Sequence, residues 1–354
     1  MERSSSSLEV SRPTRRDILA GLAGLGASAF FAGSQARAQT TSGARRFDLH
    51  HHFGSPAWLK VVAEKKMSGY QTWQPYSPAK AIEDMDKGGV AMSFISLTTP
   101  GIWFGDAEET RKLARDMNEY GARMVFDYPG RFGLFAALPL PDMNGSLKEI
   151  EYAFDTLKAD GVGLLSSYSN RWHGDPSFAE VFHELNRRKT VVYTHAQVPD
   201  CCQSLIPGVS DITVEYNTDT ARTIISMIES GRALECPDIK FIYSHGGGTI
   251  LALPGRFLGQ QATAAALAKP ADPKSRLGQL RRFYYDTAGA TNPIQIQALK
   301  QLVSTSQIVF GTDFPFGRSA GIAAGLKENG LLNEAELRAI DHENAYRILP
   351  KYKS

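Results

Sequence analysis

The chain is poor in cysteine, with three in 354 residues, too few to staple a small secreted scaffold. It has no stretch of Lys and Arg dense enough to follow a phosphate backbone, which removes nucleic acid as the expected partner. It has little net charge. The formal balance is +2 with histidine neutral, and residues 1–38 hold five Arg against three acids, so the remainder carries 34 basic and 34 acidic residues. Its one Gly run, Gly246–Gly248, has neither a following Lys-Ser/Thr nor the Gly-x-Gly-x-x-Gly spacing, so neither nucleotide-phosphate motif is met. Hydrophobic residues at 42% and charged residues at 21% are ordinary for a folded globular chain and exclude a disordered, collagen-like or coiled-coil one.

What the amino end does have is an address. Thr14-Arg15-Arg16-Asp17-Ile18-Leu19-Ala20 leads into an uncharged Gly- and Ala-rich run as far as Gln35, and Ala36-Arg37-Ala38 gives a small-x-small cleavage pattern before Gln39. An arginine pair before a weakly apolar run resembles a twin-arginine export signal. The expected division is an export signal over 1–38 and a mature protein over 39–354. That protein is expected in the periplasm, with no stable membrane association once the signal is cut. A membrane anchor is the other reading, but it needs about 20 apolar residues and the run is interrupted by glycine.

Beyond residue 45, short apolar runs alternate with helical patterns. The expected strands are 47–53, 91–97, 132–138, 161–166, 190–195, 240–245, 283–286 and 307–311. Amphipathic spacing predicts helices over 107–126, 147–158, 176–188, 218–231 and 333–348. Several strands are continuously apolar, as parallel strands covered on both faces are. Eight strands alternating with helices predict a single α/β domain, a (β/α)8 TIM barrel. Two segments, 58–77 and 199–217, read as long loops on the catalytic rim.

The chemistry sits at the strand ends. In Asp48-Leu49-His50-His51-His52-Phe53, residues two apart share a face, so His50 and His52 point into the barrel together. His195 ends the fifth strand, His245 the sixth, and Asp313 follows the eighth in Gly311-Thr312-Asp313-Phe314-Pro315. Barrel enzymes gather their C-terminal strand ends at the active site. Five burial-averse groups in one apolar interior call for a cation. Phe53, Trp73, Trp103, Trp172, Phe314 and Phe316 are available as apolar walls for a planar substrate. Arg171, after the fourth strand, and Arg318, after the eighth, are placed to clamp a carboxylate. His173 is a rim candidate by position, whereas His183 and His342 read as solvated. Cys201, Cys202 and Cys236 read as free thiols.

The ordered set His-x-His, His, His-Gly-Gly-Gly and Gly-Thr-Asp-Phe-Pro resembles the amidohydrolase superfamily. More narrowly, it resembles the branch of aminocarboxymuconate semialdehyde decarboxylase and fungal 6-methylsalicylate decarboxylase. Leu147–Ala153, Asp160–Leu164 and Gly174–Phe178 share the likeness, which spans about 47–348. The resemblance implies that His50, His52, His195 and Asp313 bind one divalent metal, Zn²⁺ first and Mn²⁺ second. It implies that His245 is the base beside it, with Asp313 also in the catalytic set. Arg256 takes the place of an arginine that this branch donates across a dimer interface, so a homodimer is expected. The bridging Lys of two-metal relatives has no counterpart in Leu164–Ser167 or Thr194–Ala196.

The resemblance implies a small-molecule carboxylate substrate. The expected reaction is non-oxidative decarboxylation of an aromatic or conjugated unsaturated acid, with Arg171, Trp172, Phe316 and Arg318 as substrate contacts. The muconate-type arginines are missing from Pro75–Ala81. Two alternatives stay open: hydrolysis of a lactone, ester or amide by the same metal site, and a barrel that binds metal without catalysis.

Overall fold

The computed structural model describes residues 45–67, 70–73 and 75–353. The export signal expected over 1–38 lies outside the described residues. The strands are β1 (Arg46–His52), β2 (Val90–Ser96), β3 (Phe132–Ala137), β4 (Gly161–Leu165), β5 (Val191–His195), β6 (Lys240–Tyr243), β7 (Tyr284–Asp286) and β8 (Ile308–Val309). They pair in parallel, each with its neighbour in this order. Leu49 N–H donates to Phe310 O at 2.9 Å and His52 N–H to Phe314 O at 2.8 Å, which joins β1 to the chain around the end of β8. The result is the expected (β/α)8 barrel, and every strand end agrees with the sequence reading to within two residues.

The helices agree less closely. The segment 58–77 is mostly helical, with helices at Pro56–Glu64 and Tyr70–Trp73. Ser55 caps the first by accepting the Trp58 N–H at 3.2 Å, and Pro56 occupies the first turn, where its missing N–H costs nothing. That capping signal lies just ahead of the stretch read as loop. Trp58 and Val62, one turn apart, are fully buried and anchor the helix. The helix expected from 218 begins earlier, at Ile212, and ends at Glu229. The three cysteines are free. Among the described residues, no helix is long and apolar enough to cross a membrane.

The barrel floor is sealed. Phe47, Leu49, Phe94, Phe135, Tyr193 and Val309 form one buried cluster with Ala345, Ile348 and Leu349 of the C-terminal segment. Phe94 stacks on Phe135 at 5.3 Å between ring centroids, and Tyr193 on Phe135 at 6.1 Å. This aromatic layer fills the end of the barrel opposite the C-terminal mouth.

Register decides which histidines face inward. Phe47 and Leu49 point to the floor, and unbroken alternation would carry His51 inward with them. The pairing of β1 with β2 shifts between Asp48 and His51, and such a bulge re-aims the residues beyond it. His50 and His52 therefore rise over Tyr193, with His50 5.2 Å from its ring. His51 turns outward, stacks on Phe314 at 4.6 Å and faces Asp48 Oδ2 at 3.0 Å.

Candidate metal centre and substrate cavity

Four side chains meet above the aromatic layer: His50 and His52 from β1, His195 from the end of β5 and Asp313 from the turn after β8. Nε2 of His50 and Nε2 of His52 are 3.0 Å apart, and Asp313 Oδ1 lies 3.2 and 3.1 Å from them. His195 Nε2 is 3.9 Å from the same oxygen. Ligand atoms bound tetrahedrally to one zinc-like ion sit about 3.3 Å apart. Asp313 Oδ1 receives no aligned hydrogen bond although it is buried. Three imidazole nitrogens and an orphaned carboxylate oxygen around one point fit a divalent cation, and these residues form a site for one.

The backbone presents these groups at some cost. Asp313 has φ +61° and His245 φ +54°, left-handed conformations that are uncommon for residues other than glycine and cluster at functional sites. Asp313 N–H donates to His50 O at 2.7 Å. Thr312 donates to Asp48 through both its N–H, 3.0 Å, and its hydroxyl, 2.6 Å. These bonds tie the turn after β8 to β1. The Gly246–Gly248 run has φ of 65°, 82° and 62°. At Gly248 a Cβ would lie 2.1 Å from Asn217 O, so glycine there lets the turn after β6 press against the helix Ile212–Glu229.

Protonation follows from burial and neighbours. Burial lowers the pKa of His52 to about 4 and that of His195 to about 3. Both rings are thus neutral at pH 7 with a lone pair to offer, as a metal ligand must be. Burial acts the same way on His50, but the facing Asp286 and Asp313 carboxylates outweigh it and raise its pKa to about 10. Burial pushes the Asp313 pKa up, yet the imidazoles around it, His50 foremost, hold it well below the usual carboxylate range.

His245 stands beside this group, its ring 5.1 Å from that of His50 and 5.7 Å from that of His195. Its Nδ1 faces Ala288 O at 3.1 Å, and its Nε2 has no partner. A cavity of about 930 Å³ opens above, walled by the loops after β2, β4 and β5 and reached by His195, His245 and Asp313. Leu97, Ile102, Trp103, Phe104, Leu165 and Phe316 supply its apolar side. No Lys or Arg belongs to the wall among the described residues.

Phe316 and Trp103 line the cavity, whereas Phe53, Trp73 and Phe314 are buried in the core. Trp172 lies off the wall and donates its indole N–H to Asp219 Oδ1 at 2.7 Å. Arg171 also lies off the wall. It donates to Ser177 Oγ at 3.1 Å and packs 5.3 Å from the Phe178 ring centroid. Arg318 is exposed, 5.4 Å from the Phe314 ring centroid, and does not reach the cavity. Arg256 is exposed on the short helix Pro254–Phe257, away from this chain's own cavity. His173 is buried outside the barrel, its Nε2 2.7 Å from Leu165 O and its ring 5.3 Å from that of Phe182. A Gly-x-Ser-x-Gly spacing does occur at 317–321, but its Ser319 is buried and gives its hydroxyl to Asp84 at 2.6 Å, so it offers no nucleophile.

One residue of the site escaped the sequence reading. Asp286, fully buried at the end of β7, accepts from His50 Nδ1 at 2.8 Å and from His245 N–H at 2.9 Å. A carboxylate closing the apolar run Phe283-Tyr284-Tyr285 was the available signal.

A sealed (β/α)8 barrel with a one-cation site at its open rim defines a metal-dependent enzyme. Residues 47–351 match the amidohydrolase family model, and the chain belongs to that family. It is 32% identical to a 6-methylsalicylic acid decarboxylase of Penicillium expansum, over 87% of this chain and 97% of that one. It is 31% identical to a decarboxylase of Aspergillus niger, over 87% and 88%. Among solved structures it resembles a dihydroxybenzoic acid decarboxylase of a Polaromonas species with bound manganese and 2-nitroresorcinol. That likeness has a TM-score of 0.76 and 20% identity, and covers 87% of this chain and 98% of that one.

Proposed function

We propose that the protein removes the carboxylate of a small aromatic acid as CO₂, without oxidation, and that Zn²⁺ is its cation, with Mn²⁺ the second choice. The observation that carries this reading is the pairing of the cation site with the unpartnered Nε2 of His245, in a cavity whose wall holds no Lys or Arg among the described residues. The decarboxylase relatives support it. A wall without Lys or Arg among the described residues favours a substrate with one carboxylate over a dicarboxylate such as a muconate, because a second carboxylate would find no counter-charge on that wall. Three nitrogens and one oxygen suit zinc, and imidazole with carboxylate also accepts manganese.

The cation, when bound, supplies positive charge against the substrate's carboxylate and neighbouring oxygen. His245 keeps a proton on Nδ1, directed at Ala288 O, so Nε2 is the atom that exchanges a proton with substrate. In its imidazolium form it delivers that proton to the ring carbon bearing the carboxylate. The carbon–carboxylate bond then breaks, its electron pair restores the aromatic ring, and CO₂ leaves. Solvent returns the proton to His245. Trp103 and Phe316 offer flat apolar surfaces to the ring.

The test is a product assay on the chain from Gln39 onward, loaded with cation. Hydroxybenzoates should yield one CO₂ per acid consumed, with no redox cofactor added. Acid released from simple lactones, with no CO₂ from any carboxylate, would move the assignment to the hydrolase alternative.

Two further parts of the proposal rest on the sequence. The Arg15-Arg16 pattern supports export by the twin-arginine route, and fractionation should recover the mature chain in the periplasm. A mature chain confined to the cytoplasm would overturn it. The resemblance, with Arg256 exposed, supports a homodimer in which the partner's Arg256 adds the missing positive charge.

A further inference from the structure

We propose that Asp286 is the positioning residue that sets both the metal ligand His50 and the base His245 through one carboxylate. Its Oδ2 is 2.8 Å from His50 Nδ1. A proton held there leaves Nε2 of His50 free to face the other ligand atoms. Its Oδ1 accepts two backbone N–H groups, from His245 at 2.9 Å and from Ala288 at 3.0 Å. The first bond holds His245 in its left-handed conformation, φ +54°. The second fixes the turn whose carbonyl, Ala288 O, meets His245 Nδ1 at 3.1 Å. A single side chain and the turn it closes thus determine the tautomer of both rings. Ligating histidines usually give their second N–H to such a carboxylate. What is particular here is that the same carboxylate also grips the backbone of the proton carrier.

The surroundings leave Asp286 little freedom. It is fully buried, and its neighbour across the barrel seam is Gly311, where a Cβ would come within 2.9 Å of Asp286 Cβ and 2.8 Å of His50 Cβ. Glycine at 311 makes room for the His50–Asp286 pair. All three acceptor contacts of Asp286 are N–H donors. An asparagine cannot serve them all: if its carbonyl faces His50, its NH₂ confronts two N–H groups, and if it is reversed, His50 meets a donor.

The inference rests on the metal-site reading, so the experiment separates the two. Cation affinity is measured by chelator competition with Zn²⁺, without substrate, for wild type, Asp286→Asn and Asp286→Glu. Turnover is then measured at saturating Zn²⁺. Asp286→Asn should weaken Zn²⁺ binding roughly 10- to 100-fold, and its kcat at saturating Zn²⁺ should fall by a similar factor. Asp286→Glu keeps the charge and should recover most of the affinity. It should not recover kcat, because the added methylene displaces the turn that holds His245. An Asn variant that matches wild type in affinity and kcat, or a Glu variant that binds Zn²⁺ no better than Asn, overturns the inference. If the Asn variant does not fold, the Glu variant decides: Zn²⁺ affinity within about tenfold of wild type with reduced kcat supports it, and unchanged kcat overturns it. A wild-type chain that binds no Zn²⁺ would instead defeat the metal-site reading.

Discussion

Replacing His245 by glutamine should lower kcat by about 10²- to 10⁴-fold while the protein still binds one cation per chain. His245 lines the cavity, its buried Nε2 has no partner, and no ligand atom of the cation cluster belongs to it. Glutamine is close in length and can keep a hydrogen bond to Ala288 O, so fold and cation content should survive. What it cannot do is carry a proton to carbon and take another from solvent. The loss should therefore appear in kcat, with KM changed little, since ground-state contacts with the cavity wall remain. The measurement pairs steady-state kinetics with metal analysis of the same preparation. Full activity with full metal content would show that the proton reaches the substrate another way, whereas a barrel that binds metal without catalysis would give no turnover in wild type or variant.

The strands were legible because their signal is local. The strands Phe132–Ala137 and Val191–His195 open on apolar residues and are buried along their whole length. The cluster of His50, His52, His195 and Asp313 was legible for a related reason: polar groups that close apolar strands stand out against their context. The substrate wall was not. Arg171 and Arg318 occupy rim loops, but loop position does not fix where a guanidinium points, and theirs lie against Phe178 and Phe314. Trp172 is turned away by Asp219, which comes from a helix more than 40 residues later in the chain. Asp286 closes an apolar run in the same way, but that position alone does not tell that its partners are His50 and His245. Its meaning lies in three contacts made by residues from β1, the turn after β6 and its own turn. The bulge in β1 was equally invisible, although the assignment of His50 and His52 rather than His51 depends on it.

Stripping the cation with a chelator should abolish turnover, by about 10⁴-fold or more if the cation supplies several kcal/mol against developing charge. Adding back Zn²⁺ or Mn²⁺ should restore it. The pH dependence of reloading follows from the histidines. At pH 7, His52 and His195 are neutral, with pKa values of about 4 and 3, and cost no deprotonation. His50, at about 10, is protonated in the cation-free protein and must release that proton before Nε2 can bind. Loading at pH 7 should therefore release close to one proton. Apparent affinity should rise up to tenfold per pH unit through neutral pH and level off near the His50 pKa. Below about pH 4 the slope should steepen, as His52 also becomes protonated. In the stability of the cation-free protein, His50 acts with one sign and His52 and His195 with the other. The raised His50 stabilises it fully below the unfolded value near 6.5, and that contribution fades as pH rises towards 10. The depressed His52 and His195 stabilise it above 6.5 and lose that contribution as pH falls towards 4 and 3. Calorimetric titration with Zn²⁺ in two buffers of different ionisation heat counts the proton directly. Release of none at pH 7 would show that the Asp286 and Asp313 carboxylates do not hold His50 in its charged form. Undiminished turnover after stripping would remove the cation from the chemistry altogether.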